Sequence, residues 1–193
     1  MAIPIGVRTG VLGGVAARVA EDVRTVLAKD PAARSFLEAL LHPTLPALWA
    51  HRCAHALYLR DWRIGARLVA NLGRLLTGVE IHPGARIGRR IFIDHGNGVV
   101  IGETAVIGDD VMLYHQVTLG AVGWWRDNQR PTGERRHPLV GNGVVLGAGA
   151  MVLGLVDIGP GAVIGAQSLV LGDVAPGQRI SSAHRHKDVR EAM

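Results

Sequence analysis

The chain has 193 residues, 48% hydrophobic and 19% charged, which suits a buried core and excludes a disordered chain. Its formal net charge of +5 comes almost wholly from arginine, since only Lys29 and Lys187 are lysines. A single cysteine, Cys53, excludes an internal disulfide framework and a cysteine-based zinc site. No apolar run approaches the roughly 20 residues of a membrane span, and no aromatic-interleaved basic strip or helix-turn-helix pattern speaks for nucleic acid. Met1 to Gly14 lacks the cationic start and cleavage region of a secretory signal, so a cytoplasmic location is expected.

Residues 15 to 76 read as helices, because apolar residues recur every three or four positions in VAARVAEDVRTVLAKD and in LPALWAHRCAHALYLRDWRIGARLVANLGRLL. Pro31, Pro43 and Pro46 punctuate them, since proline fits a helix start and not its interior. Thr77-Gly78 closes the last helix. Cys53 falls within this region and is expected as a small buried hydrophobe. Asp30, before Pro31, has the makings of a helix N-cap or of a functional acid.

From Val79 onward the pattern changes to an internal repeat. Hexads begin at Ile81, Ile87 and Ile93. After a two-residue slip they resume at Ile101, Ile107 and Leu113, and Leu119 keeps the phase. A Gly, Pro and polar-rich insertion, residues 121 to 139, interrupts them. They return at Val140, Leu146, Val152, Ile158, Ile164 and Val170. One aliphatic every six residues, mostly followed by a small residue, suits a coil of three short strands whose aliphatic side chains stack coil upon coil. Val106, Ala150 and Ala162 would pack beside them. Aromatics, only 4% of the chain, would overfill so narrow a prism. The expected architecture is therefore mainly β: a small helical domain at 1–78, a parallel β-helix at 79–176, and a tail at 177–193.

The stretch EIHPGARIGRRIFIDHGNGVVIGETAVIGDDV, followed by VTLG and later RRHPLVGNGVVLGAGAMVLG, resembles the serine O-acetyltransferases, hexapeptide-repeat acyltransferases of which this chain looks like a short form. The upstream KDPAARSFLEALL and HRCAHALYLRDWRIGARLVA resemble the end of that family's helical domain. The resemblance implies a left-handed parallel β-helix, a homotrimer with active sites at subunit boundaries, and pairing of two trimers left open. It implies transfer of an acetyl group from acetyl-CoA to the hydroxyl of L-serine, without a metal. His95 would be the general base, a role that suits a group titrating near neutrality. Glu80 would orient it, and His137 would complete the pocket and assist proton transfer. Arg136 would grip the substrate carboxylate, and Asp30 and Asp94 would meet its amino group. Corner amides of Gly147, Ala148, Gly165 and Ala166 would serve acetyl-CoA. His82 and His115 are read as structural or surface residues.

Three departures from the family pattern stand out. VTLG runs into AVGWWRDNQRPTGE rather than a short lysine-bearing loop, so Trp124 and Trp125 stand where a lid or an oligomer contact would lie. The tail ISSAHRHKDVREAM lacks the family's closing motif, leaving Arg185, His186 and Lys187 as candidates for coenzyme A phosphates. The chain ends in Met193 rather than isoleucine, so docking to the cysteine-forming sulfhydrylase is not supported. Alternatives are a related acyltransferase with another amino-acid acceptor or acyl donor, a metal-dependent β-helix enzyme using His82, His95 and His115, and a non-catalytic scaffold.

Overall fold

A computed structural model describes residues 15–123, 125, 129–131 and 133–181. Four helices come first: α1 (Val15–Lys29), α2 (Phe36–Leu40), α3 (Leu45–Tyr58) and α4 (Arg63–Thr77). Ser35 caps α2, its hydroxyl accepting the Glu38 N–H at 3.2 Å. Asp30 therefore caps no helix. It follows α1, and its carboxylate accepts the Ala32 N–H at 2.8 Å in a local turn. Gly78, at φ 69°, ends α4 in the left-handed conformation that glycine adopts without penalty.

Short strands follow: β1 (Glu80–Ile81), β2 (Arg86–Ile87), β3 (Phe92–Ile93), β4 (Val100–Ile101), β5 (Val106–Ile107), β6 (Met112–Leu113), β7 (Thr118–Gly120), β8 (Leu139–Val140), β9 (Val145–Leu146), β10 (Met151–Leu153), β11 (Asp157–Ile158), β12 (Val163–Ile164), β13 (Leu169–Val170) and β14 (Arg179–Ile180). They form three parallel sheets, and from β1 to β13 successive strands fall in successive sheets; before β14 the second-sheet position is a lone bridge from Val174 to Ile158. The first sheet runs β1-β4-β7-β10-β13, the second β2-β5-β8-β11 and the third β3-β6-β9-β12-β14. The chain thus winds as a coil with three corners per turn. The last rung, β14, lies beyond residue 176.

Register explains the repeat. Ile81, Ile101, Leu119, Val152 and Val170 stack in one column. Ile87, Ile107, Val140 and Ile158 form the second, and Ile93, Leu113, Leu146, Ile164 and Ile180 the third. Every hexad-opening aliphatic lies in one of these columns. Most are fully buried, joined by Val106, Ala150 and Ala162. Full burial of such a side chain stabilises by about 1.5–3 kcal/mol, and no single coil achieves it without its neighbours.

The helices share one hydrophobic core with this prism, and directed polar contacts fix them to it and to each other. Asp22, buried on α1, accepts both guanidinium nitrogens of Arg52 and the Trp49 indole N–H at 3.0 Å, tying α1 to α3. Lys29 Nζ donates to the Arg90 and Asp110 carbonyls at 3.2 and 3.1 Å, which pins the end of α1 to a corner between the second and third sheets. Arg89 and Arg90 at that corner pair with Glu21, Asp109 and Asp110. Cys53 is exposed, contrary to expectation. The buried face of α3 is set by Leu45, Ala47, Leu48, His51 and Ala54, and position 53 falls outside that stripe.

Candidate active site

His95 sits at the corner from the third sheet to the first, and the slip in the repeat puts it there. Ile93 to Ile101 is eight positions, where Leu113 to Leu119 on the next coil is six. The Gln116 N–H bonds the Asn97 carbonyl at 2.9 Å, so the ladder resumes at Gly98 and the surplus is a bulge. His95 and Gly96 both take left-handed conformations there, at φ 60° and 66°. The His95 side chain, 75% exposed, projects from the wall. A Cβ on Gly96 would lie 2.5 Å from the Thr44 methyl and 2.8 Å from Val79, so only glycine fits beneath the α2–α3 connection.

Asp94 stands beside it, and Asp30 meets the same corner through His42. Asp94 Oδ1 lies 3.8 Å from His95 Nε2. Asp30, delivered by the end of α1, lies 3.8 Å from His42 Nε2, and the charges of both Asp30 and Asp94 bear on the His42 ring. The His42 ring tilts against Phe92 with centroids 5.6 Å apart. His115, one coil further on, meets His95 edge-on at 5.9 Å. Glu80 occupies the outer side of β1 near this corner. Its partner is Arg74 at 3.1 Å, and among the described residues no hydrogen bond joins it to His95.

The same corner continues down the coil. By register Asp94, Tyr114, Gly147 and Gly165 stack, followed by Asn97, His115, Ala148 and Ala166. The Gly147 and Gly165 N–H groups are spent on the Ile164 and Ile180 carbonyls at 2.8 and 2.7 Å. Those of Ala148 and Ala166 have no partner among the described residues, so of these four amides the free donors are the two alanines.

Arg136 and His137 stand at another corner, from the first sheet to the second. Arg136 Nη2 donates to Glu103 at 2.6 Å, and the Tyr58 hydroxyl donates to the other Glu103 oxygen at 2.9 Å. Burial pushes the Glu103 carboxyl up, but the Tyr58 hydrogen bond and the charges of His82, Arg136 and His137 outweigh it and hold it below its ordinary value. Thr104 Oγ1 accepts the Arg136 and His137 N–H groups at 2.9 and 3.2 Å, so its hydrogen goes to His137 Nδ1 at 2.8 Å. The Thr104 N–H also points at Nδ1, at 3.2 Å. The neutral His137 ring therefore carries its proton on Nε2. A Cβ on Gly102 would lie 2.0 Å from the ring, so this glycine makes room for it.

The sequence-predicted residues thus form two half-sites on opposite edges of the first sheet: Asp30, Asp94 and His95 on one, Arg136 and His137 on the other. His82 belongs with the second, its Nδ1 accepting the Gly84 N–H at 3.0 Å, and so stands apart from His95 and His115. Among the described residues no group of three or more histidine, cysteine, aspartate or glutamate side chains converges as a metal site. Sequence reasoning missed His42, Thr44, Tyr58, Glu103 and Thr104. Glu103 and Thr104 lay inside the quoted IGET motif, which was the available signal; nothing marked the others. Trp125 is exposed, while Trp124, Arg185, His186, Lys187 and Met193 lie outside the described residues.

A three-sheet parallel coil with a hexad aliphatic on every rung and a histidine–acid pocket at one corner defines a hexapeptide-repeat protein of the transferase kind. No family model matches the chain. It is 52% identical over 139 residues to the serine acetyltransferase of Mycobacterium tuberculosis, covering 72% of this chain and 58% of that protein. With the serine acetyltransferase of Helicobacter pylori strain 26695 it shares 54% identity over 135 residues, 69% of this chain and 75% of the relative. Among solved structures, Brucella abortus serine acetyltransferase in complex with coenzyme A superposes with a TM-score of 0.79 at 34% identity, over 88% of this chain and 65% of that one. Neisseria gonorrhoeae serine acetyltransferase in complex with serine gives 0.76 at 39% identity, over 84% and 64%. The chain belongs to the serine acetyltransferase family, and it spans little more than half the length of its Mycobacterium relative.

Proposed function

We propose that the chain transfers an acetyl group from acetyl-CoA to the hydroxyl of L-serine, giving O-acetylserine and free coenzyme A. One observation carries this reading: Asp94 stands beside the exposed imidazole of His95, and Asp30 meets the same corner across His42, on which all three bear. Carboxylates suit an ammonium group and an imidazole suits a hydroxyl proton, so the pocket fits an amino alcohol. His95 takes the hydroxyl proton as the serine oxygen attacks the thioester carbonyl. The tetrahedral intermediate then expels the thiolate, which recovers that proton from the imidazolium. Glu80 is the orienting carboxylate of His95 in this reading. Its pairing with the exposed Arg74 belongs to a class worth about 0–1 kcal/mol and does not lock it. The free amides of Ala148 and Ala166, beside Gly147 and Gly165, receive the pantetheine arm and the carbonyl oxygen as negative charge develops.

Arg136 anchors the substrate carboxylate with the donors that Glu103 leaves over, and His137 completes the pocket through its Nε2–H. Since these two stand on the far edge of the first sheet, the working site joins the His95 edge of one copy to the Arg136–His137 edge of the next. A left-handed coil in a homotrimer meets that requirement, and pairing of trimers is not required. The Met151–Leu169 end of the first sheet's outer face, exposed and apolar, offers a contact for such an assembly. No described helix is long and apolar enough to cross a membrane, and the proposed use of coenzyme A supports a cytoplasmic location.

The test is thiol release by the purified chain with acetyl-CoA, with and without L-serine, and the mass of the product. Serine-dependent release and a mono-acetylated serine are expected, and His95→Ala is expected to lower kcat by about 10²–10⁴-fold with assembly intact. Release that ignores serine, or a His95→Ala variant with native turnover, overturns the assignment.

A further inference from the structure

His42 stands in the same pocket and has no role in the chemistry above. Its surroundings decide which ring nitrogen carries the proton. The Thr44 hydroxyl donates to the Ile93 carbonyl at 2.8 Å, which uses its one hydrogen. The same oxygen lies 2.9 Å from His42 Nδ1, and that contact is a hydrogen bond only if Nδ1 is the donor. The neutral ring therefore turns a bare lone pair at Nε2 toward the pocket. Burial, the largest influence on this ring, lowers its proton affinity and outweighs the opposing pull of Asp30 and Asp94.

Nε2 faces Asp30 Oδ2 at 3.8 Å. The other Asp30 oxygen already accepts the Ala32 N–H, so Oδ2 is the one left for the pocket. Two acceptors opposed at that spacing repel each other unless a donor stands between them. A single nitrogen placed about 2.9 Å from each fits the gap. The site is sheltered: the His42 side chain is 9% exposed and those of Asp30 and Asp94 are 23% and 26%. A protonated primary amine brings three N–H donors, one for each of the three acceptors gathered here.

We propose that His42 Nε2 is the third acceptor, with the Asp30 and Asp94 carboxylates, for the ammonium group of the acyl-accepting substrate, in the tautomer that Thr44 imposes. This rests on the reading of the substrate as an amino acid bearing a hydroxyl. His42 then acts in substrate selection and not in proton transfer, and it makes the site specific for a primary amine. A hydroxy acid without the amine leaves the three acceptors facing one another, and an N-acylated amino acid has neither the charge nor the donors to satisfy them.

Binding and turnover separate this inference from the functional reading. Calorimetric titration of the full-length assembled protein with L-serine and with 3-hydroxypropionate, which lacks only the amine and the chirality at that carbon, is compared for the native chain and for His42→Leu. Serine binding is expected to weaken roughly 10- to 100-fold in His42→Leu, with 3-hydroxypropionate and acetyl-CoA unaffected. Equal weakening for both small ligands, or no change for serine, overturns the role of His42. A native chain that binds serine but releases no thiol overturns the acetyl-transfer reading and leaves the binding comparison standing. A native chain that binds neither ligand overturns both. Ring nitrogen NMR of the native protein needs no variant and guards against misfolding of His42→Leu. It is expected to show a protonated Nδ1 and a bare Nε2 whose resonance shifts with L-serine and not with 3-hydroxypropionate. A ring protonated at Nε2 at neutral pH overturns the proposal.

Discussion

The position of His95 illustrates how little chain is needed to turn a structural repeat into a site. Two surplus residues at one corner lift an imidazole out of a wall that is otherwise aliphatic and small. The residues that surround the bulge then divide the labour. Thr44 packs its methyl on Gly96 and its hydroxyl on Ile93, bracing the corner. On the opposite edge Glu103 plays the corresponding part for Arg136, fixing one end of the guanidinium and leaving the rest to a ligand. Replacing Glu103 by Gln keeps the shape and removes the charge that holds Arg136. Steady-state kinetics are expected to show a serine KM raised by roughly tenfold, the scale of one charge-assisted hydrogen bond. The KM for acetyl-CoA is expected to stay close to native. A rise in the acetyl-CoA KM instead would assign Glu103 to the donor side.

At the scale of elements, the helices matter because they carry polar side chains to places the coil cannot reach. α1 ends where Lys29 grips two corner carbonyls, and the next residue is Asp30. α3 lays His51 against the Ala85 carbonyl at 3.1 Å and stacks it on His55 at 5.6 Å. Burial, reinforced by the His55 charge, pushes His51 down to about 3. The unfolded chain returns it to an ordinary value near 6.5, so below that pH the unfolded state binds the extra proton. Stability is therefore complete above about pH 6.5 and declines as pH falls toward 3. The slope approaches about 1.4 kcal/mol per unit, or about 2 kcal/mol between neutrality and pH 5. Urea unfolding at fixed protein concentration is expected to show this loss, and His51→Gln to flatten it. An unchanged slope in the variant would assign the acid sensitivity to other groups.

For the whole molecule the decisive fact is that the first sheet separates the two candidate half-sites. Its outer column runs Glu80, Val100, Thr118, Met151 and Leu169, and its last two members, 40% and 55% exposed, leave an apolar end open to solvent. If the site is shared between copies, His95→Ala and His137→Ala are inactive for different reasons, and each retains the half the other lacks. Co-refolding the two variants is expected to restore activity that neither has alone, with mixed assemblies confirmed by mass. Absence of any recovery in such mixed assemblies would place both histidines of one site in the same chain.

The columns inside the coil were legible from the chain itself, because a stacked prism demands the same kind of side chain at the same phase on every rung. Ile81 through Val170 could be assigned to strands by counting sixes, and the same count exposed the slip after Ile93, while His95 within it was named by the resemblance. Gly78 as the helix stop followed equally from local chemistry. The pocket was only half legible. Asp94 and His95 are neighbours in sequence, and the resemblance named Asp30 as well, but His42 went unmarked, and both it and Asp30 reach the corner because α1 and the α2–α3 connection dock there through contacts between distant residues. The same holds for the meeting of Tyr58 and Glu103 with Arg136, itself named by the resemblance, for the exposure of Cys53, and for the choice of Ser35 over Asp30 as a cap. Periodicity is written in the chain because each rung repeats one local requirement. Convergence is decided in three dimensions, where a single side chain such as Thr44 fixes the proton of one residue and the backbone of another.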